Sequence, residues 1–125
     1  MKLIVAGSRT ITPLQFETYA IPILDKLEIS EIISGRAKGV DTYGELYAKE
    51  RKISLAYFPA NWSKFGRAAG VYRNCDMGDY ADEALLLWDG ESKGTLHMLN
   101  YMRKINKKVC LIEIYAAPTT QIQYF

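Results

Sequence analysis

Five apolar, β-rich runs recur along the chain: KLIVA at 2–6, ISEII at 29–33, ISLAYF at 53–58, ALLLW at 84–88 and VCLIEI at 109–114. Each is short and nearly unbroken in hydrophobicity, the pattern of a strand covered on both faces. Between them the period changes to that of a helix. Phe16, Tyr19, Ala20, Ile23, Leu24 and Leu27 form one stripe, and Val40, Tyr43, Gly44, Leu46, Tyr47 and Ala48 form a second. Further helices are expected from about Arg67 to Tyr80 and from Leu96 to Ile105. Parallel neighbours need crossover connections, and right-handed crossovers restrict the strand order. The expectation is an α/β fold: one five-stranded parallel sheet in the order 3-2-1-4-5, with helices on both faces.

Punctuation refines this outline. Thr12 and Pro13 supply an N-cap and a first-turn proline, whereas Pro22 falls inside the same stripe and predicts a kink or a break. PANWSKFGRAAG, with Pro59, Trp62 and Gly66, reads as a loop into the next helix; Trp62 there is a candidate to stack on a base or to cover the core. From Ala116 onward, Pro118 and paired threonines predict an irregular tail. The domain is therefore expected over 1–115, with a tail over 116–125 whose Tyr124 and Phe125 are candidates to dock on a partner.

A chain of 125 residues, 49% apolar and 24% charged, is long enough for one domain with a real core. Its net charge of +2 is spread along the chain, which argues against a nucleic-acid groove. Cys75 and Cys110 stand far apart with a single His97, so no zinc spacing exists and free thiols in a reducing compartment are expected. The first apolar run is too short for a signal segment or a membrane span. A cytoplasmic protein without membrane, metal or cofactor is the expectation.

In a doubly wound sheet, ligands bind beyond the carboxyl ends of the strands where the order reverses. Three glycine-containing loops should meet there. Gly7-Ser8-Arg9 follows the first strand, and SGRAKGVD (34–41) follows the second. DGESKGT (89–95) follows the fourth. In the last, Ser92 and Thr95 offer hydroxyls, Lys93 offers charge and Gly94 close backbone approach, at a helix start whose N–H groups favour an anion. In the second, Gly35 and Gly39 bracket Arg36 and Lys38, and Lys38 is the expected ligand charge. Asp41 falls in the first helical turn, where the helix dipole favours a carboxylate. Beyond the loops, Arg73 brings a planar fork for phosphate and Asn74 a paired donor and acceptor. No Ser/His/Asp or Cys/His grouping stands out, so binding is better supported than turnover.

Taken in order, AGSR, SGRAKGVD, PANWSKFGRAAGVYRN, M..YAD and LLLWDGESKGT resemble the YspA-like branch of the SLOG superfamily. Those are Rossmann-like domains related to the lonely-guy phosphoribohydrolases and to DNA-processing protein A. The resemblance reaches Ile114. It implies a nucleotide or nucleotide-derived small molecule held by Gly7, Ser8, Arg9, Ser34, Gly35, Lys38, Gly39 and Asp41, with Arg73 and Asn74 beside it. Ser92, Lys93, Gly94 and Thr95 would face its phosphate. The lonely-guy loop carries a catalytic glutamate, but the residue after Leu96 here is His97. Sensing or sequestering a ligand is therefore expected ahead of N-glycosidic cleavage of a nucleoside 5′-monophosphate. For cleavage the candidates would be Asp41, Arg73, Glu91 and His97. Single-stranded DNA binding comes third, and related domains associate, which leaves a homo-oligomer open.

Overall fold

A computed structural model describes residues 1–115 and 120–125 of the chain. Its strands are β1 (Lys2–Gly7), β2 (Glu31–Ser34), β3 (Ser54–Tyr57), β4 (Glu83–Trp88), β5 (Lys108–Ile114) and β6 (Thr120–Tyr124). They form one sheet in the order β3-β2-β1-β4-β5-β6. β1 to β5 are parallel, as the alternation of runs and stripes requires.

The sixth strand corrects the irregular tail expected from 116 onward where it is described, over 120–125; 116–119, with Pro118, lie outside the described residues. β6 runs antiparallel to β5, with Ile112 opposite Ile122 and Glu113 opposite Gln121. Val109 and Phe125 extend the ladder by exchanging backbone hydrogen bonds of 3.0 and 2.8 Å. Thr-Gln-Ile-Gln-Tyr alternates with period two around one aliphatic residue, which suits an edge strand and lacks the continuous apolarity of the inner five.

Pro22 breaks its helix in a specific way. α1 (Pro13–Gln15) passes into a π-helical turn (Phe16–Ala20) and then α2 (Ile21–Leu24). The Ile21 N–H reaches back five residues to the Phe16 carbonyl, so the wider turn takes up the crowding that a proline ring imposes on the preceding turn. Leu27 falls beyond the helix end. Downstream, α3 is Val40–Arg51, α4 is Trp62–Phe65, and a 3₁₀ turn (Gly66–Ala68) leads into α5 (Ala69–Tyr80). α6 spans Lys93–Lys104, three residues earlier than the apolar spacing suggests.

Side-chain alternation along each strand divides the core in two. Leu3, Val5, Ile32, Leu85, Leu87 and Ile112 pack against Phe16, Ala20 and Leu24 and against Val40, Tyr47 and Ala48 of α3. Their neighbours Ile4, Ile33, Leu86 and Leu111 point the other way, onto Met77 of α5 and Met98, Leu99 and Met102 of α6. Leu46 belongs to neither layer: it is 54% exposed, so the stripe read for α3 is one position too wide. Among the described residues no helix is long and apolar enough to cross a membrane.

Candidate functional site

Where the chain leaves β1 for β2 on one side and β4 on the other, a cleft of about 500 Å³ opens at the carboxyl ends of the strands. Gly7 at the end of β1 and Arg9 and Thr10 after it line one part, with Ala37 from the loop after β2 and Asp41 from the first turn of α3. Asp89, Ser92, Lys93, Gly94, Thr95 and His97 come from the loop after β4 and from α6. Gly70, Val71, Arg73 and Asn74 of α5 form a third side, with Trp62 and Arg67 at its lip.

The anion-favouring end is built around α6. Ser92 is its N-cap, and the Ser92 hydroxyl accepts from the Thr95 N–H. Lys93, Gly94 and Thr95 therefore form the first turn, which contains no acidic residue. A lysine at the first helical position adds to the positive end of the helix dipole, and the carboxylate beside that end comes from Asp89, in the loop before the helix. Asp89 holds this loop in shape: its Oδ1 accepts from the N–H groups of Glu91 (2.9 Å) and Ser92 (2.8 Å), and its Oδ2 from the Thr10 hydroxyl (2.8 Å). Burial raises the Asp89 pKa, but these hydrogen bonds outweigh it and keep the carboxyl below its ordinary range.

Hydrogen bonds cross the floor of the cleft through α5. Arg73 donates from Nη1 to the Gly35 carbonyl and from Nε to Asn74 Oδ1, the latter at 3.1 Å. Asn74 Nδ2 donates to the Gly94 carbonyl at 3.2 Å and meets His97 Nδ1 at 3.1 Å. Because the amide nitrogen can only donate, His97 Nδ1 must accept, and the proton of the neutral ring sits on Nε2. Burial lowers the His97 pKa and favours that neutral form.

Asp41 is buried at the second position of α3, and its Oδ2 accepts from the Ala37 N–H at 3.2 Å. Its pKa is raised to about 6, chiefly by burial, against the lowering effects of the Ala37 N–H and the Arg73 guanidinium. A carboxyl in that state can give or take a proton near neutral pH. The turn before it depends on Gly39, whose φ is +88° and where a β-carbon would lie 3.3 Å from Arg9 Cα. That contact brings the β1 and β2 loops together.

Ten of the residues expected at the site line this cleft: Gly7, Arg9, Asp41, Arg73, Asn74, Ser92, Lys93, Gly94, Thr95 and His97. The others lie elsewhere. The Ser8 hydroxyl is buried and accepts from the Asp89 N–H at 3.1 Å. The Ser34 hydroxyl donates to Glu45 Oε2 at 2.6 Å. Gly35 is buried against Arg73, Gly39 packs on Arg9, and Glu91 and Lys38 are exposed; none of the four is on the lining. Arg67 and Asp89 were not singled out from sequence. Arg67 follows a glycine inside a run that reads as small-residue packing, and an Asp three residues before a serine N-cap is the only local signal for Asp89.

The YspA, cpYpsA-related SLOG family has a sequence model that matches residues 1–65. No curated protein matches the chain. Among solved structures, the X-ray structure of DNA processing protein A (DprA) from Streptococcus pneumoniae is similar with a TM-score of 0.74 and 17% identity. The match covers 94% of this chain and 52% of that one, so the chain spans about half the length of its structural neighbour. At that identity the likeness is one of fold, a Rossmann-like α/β domain.

Proposed function

The chain belongs to the YspA, cpYpsA-related SLOG family, and we propose that its cleft binds a nucleotide or nucleotide-derived small molecule, sensing or sequestering it. The observation that carries this reading is the meeting of Arg9, Arg73 and Lys93 with the N-terminal turn of α6 in one cleft. Arg67 adds a fourth cation, against Asp41 and Asp89 as the acids of the lining. Even with Asp41 ionised at neutral pH, the cations of the lining outnumber its acids, so the balance favours an anionic ligand. The cleft volume is ordinary for a small-molecule site.

Purified protein incubated with nucleoside monophosphates, dinucleotides and cyclic nucleotides tests the reading by thermal shift and base release together. A shift without products, weakened at least about tenfold in affinity by Arg73→Ala or Lys93→Ala, is the expected result. The absence of any shift across the panel would count against a nucleotide cleft.

One observation favours a second reading, N-glycosidic hydrolysis: the buried carboxyl of Asp41 titrates near neutrality beside a cationic wall. Released base that disappears in Asp41→Asn would support it. The fold likeness to a DNA-processing protein suggests single-stranded DNA as a further ligand, but a net charge of +2 supplies no strong electrostatic track for a strand.

A further inference from the structure

Trp62 is 57% exposed and belongs to neither hydrophobic core layer. Trp88, the other tryptophan, packs against the α5–α6 layer and donates from Nε1 to the Ser92 carbonyl at 2.9 Å. Covering the core is therefore the work of Trp88 and not of Trp62. An exposed indole leaves a large apolar surface in water and has no stabilising return from the fold.

The position of Trp62 is nonetheless built. Asn61 caps α4 by accepting from the Lys64 N–H at 3.1 Å, and the Ser63 hydroxyl donates to the same oxygen at 2.9 Å. Gly66, at φ +55°, closes the short helix by donating its N–H to the Trp62 carbonyl. The indole edge rests over α5 at Gly70, where Trp62 Cη2 would lie 3.5 Å from a β-carbon. Trp62 lines the cleft together with Val71 and Arg67.

An exposed aromatic face on a cleft whose charged lining is mainly cationic suits a ligand with two unlike ends: an anion and a flat, apolar-faced ring. We propose that the cleft selects for a heterocyclic base, which stacks on Trp62 while the ligand's phosphate lies at the α6 end. This inference rests on the nucleotide reading above and adds to it the residue that holds the base. Stacking on an aromatic side chain is tolerant of base identity, so Trp62 confers a preference for nucleotides over sugar phosphates without choosing among bases.

Calorimetric titration with the four ribonucleoside 5′-monophosphates and with ribose 5-phosphate separates the two claims. The wild-type protein is expected to bind at least one mononucleotide about tenfold or more tighter than ribose 5-phosphate, the scale of one base–aromatic stack. Trp62→Ala should abolish that preference and leave ribose 5-phosphate affinity within about twofold, and Trp62→Phe should restore most of it. Ribose 5-phosphate binding without any preference for a nucleotide would overturn the stacking role and leave the anion site standing. Equal loss of both ligands in Trp62→Ala, with Trp62→Phe failing to restore the preference, would also overturn it, since Trp62 would then shape the cleft instead of touching a base. Failure of every ligand to bind the wild-type protein would overturn both readings.

Discussion

The Arg73 guanidinium donates to the carbonyl of Gly35 and fills the space a side chain on that glycine would need, with Nη1 2.6 Å from the position of a β-carbon. The two residues lie on different elements, so the glycine after β2 is required by a side chain of α5. Gly35→Ala should displace the guanidinium, which is the mobile end of a long side chain, more readily than the backbone. We predict a folded protein whose melting midpoint changes by a few degrees at most and whose anion affinity falls about tenfold. Thermal denaturation and calorimetric titration of the same sample check both halves. Unchanged binding would separate Arg73 from ligand recognition.

Gly94 presents the opposite case. A β-carbon there would meet no atom of the described residues within 4 Å, so no contact among them demands glycine in the first turn of α6. By helix propensity alone, Gly94→Ala should stabilise the fold by about 0.5–1 kcal/mol. If a ligand approaches the backbone at that turn, the same methyl group should weaken its binding. Denaturant unfolding and ligand titration are expected to move in opposite directions, and a variant that is both more stable and equally able to bind would assign Gly94 no part in the site.

Asp41 makes stability depend on pH with an unusual sign. A carboxyl that titrates near 3.8 when unfolded and about 6 when folded costs the native state about 3 kcal/mol at neutral pH. Between about pH 4 and pH 6 the folded chain holds the proton that the unfolded chain has released, so stability falls as pH rises through that window. Below it the penalty is absent, and above it the penalty is complete. Asp41→Asn retains an oxygen for the Ala37 N–H and removes the charge. It should gain stability relative to the wild type as pH rises from about 4.5 to 7.5, by about 2 kcal/mol in chemical denaturation. A constant difference across that range would mean that Asp41 ionises normally.

Lys107 holds the far end of α5. Its Nζ donates to the carbonyls of Gly78 (2.8 Å), Asp79 (2.9 Å) and Ala81 (2.7 Å), which the end of the helix leaves without partners. Replacing it by methionine preserves the apolar stem and deletes the three charge-assisted bonds. The expected loss is about 2 kcal/mol in urea unfolding, with ligand affinity unchanged because the cleft lies at the other end of the sheet. A loss below about 0.5 kcal/mol would show that water serves those carbonyls equally well.

How much of this is legible in the residues depends on whether a feature is local. The order of the first five strands follows from apolar runs alternating with helical stripes, because burial on both faces leaves a continuous signal. β6 escapes that reading: its strand character comes from an open edge on β5, and only Ile122 among its residues resembles the inner strands. The site divides along the same line. Arg9, Arg73 and Lys93 are identifiable as cations beside glycine-containing loops, but the chain does not announce that Lys38 turns to solvent while Arg67 reaches the cleft lip. The direction of a side chain is set by the backbone turn beneath it, here one that passes through Arg36 at φ +62° and Gly39 at φ +88°. Likewise, the tautomer of His97 depends on an asparagine 23 positions away in the chain.

Arg73 and Asn74 are neighbours on one turn of α5, yet one bonds the loop after β2 and the other the first turns of α6. Those partners sit on opposite sides of β1 in the sheet. A single helical turn therefore acts as a strut whose length sets the gauge of the opening before any ligand arrives. On the proposed reading the opening is preorganised: a ligand of the right width would meet walls already at their working separation, and little conformational entropy would be lost on entry. Slackening either end of the strut should cost affinity even for ligands that touch neither residue.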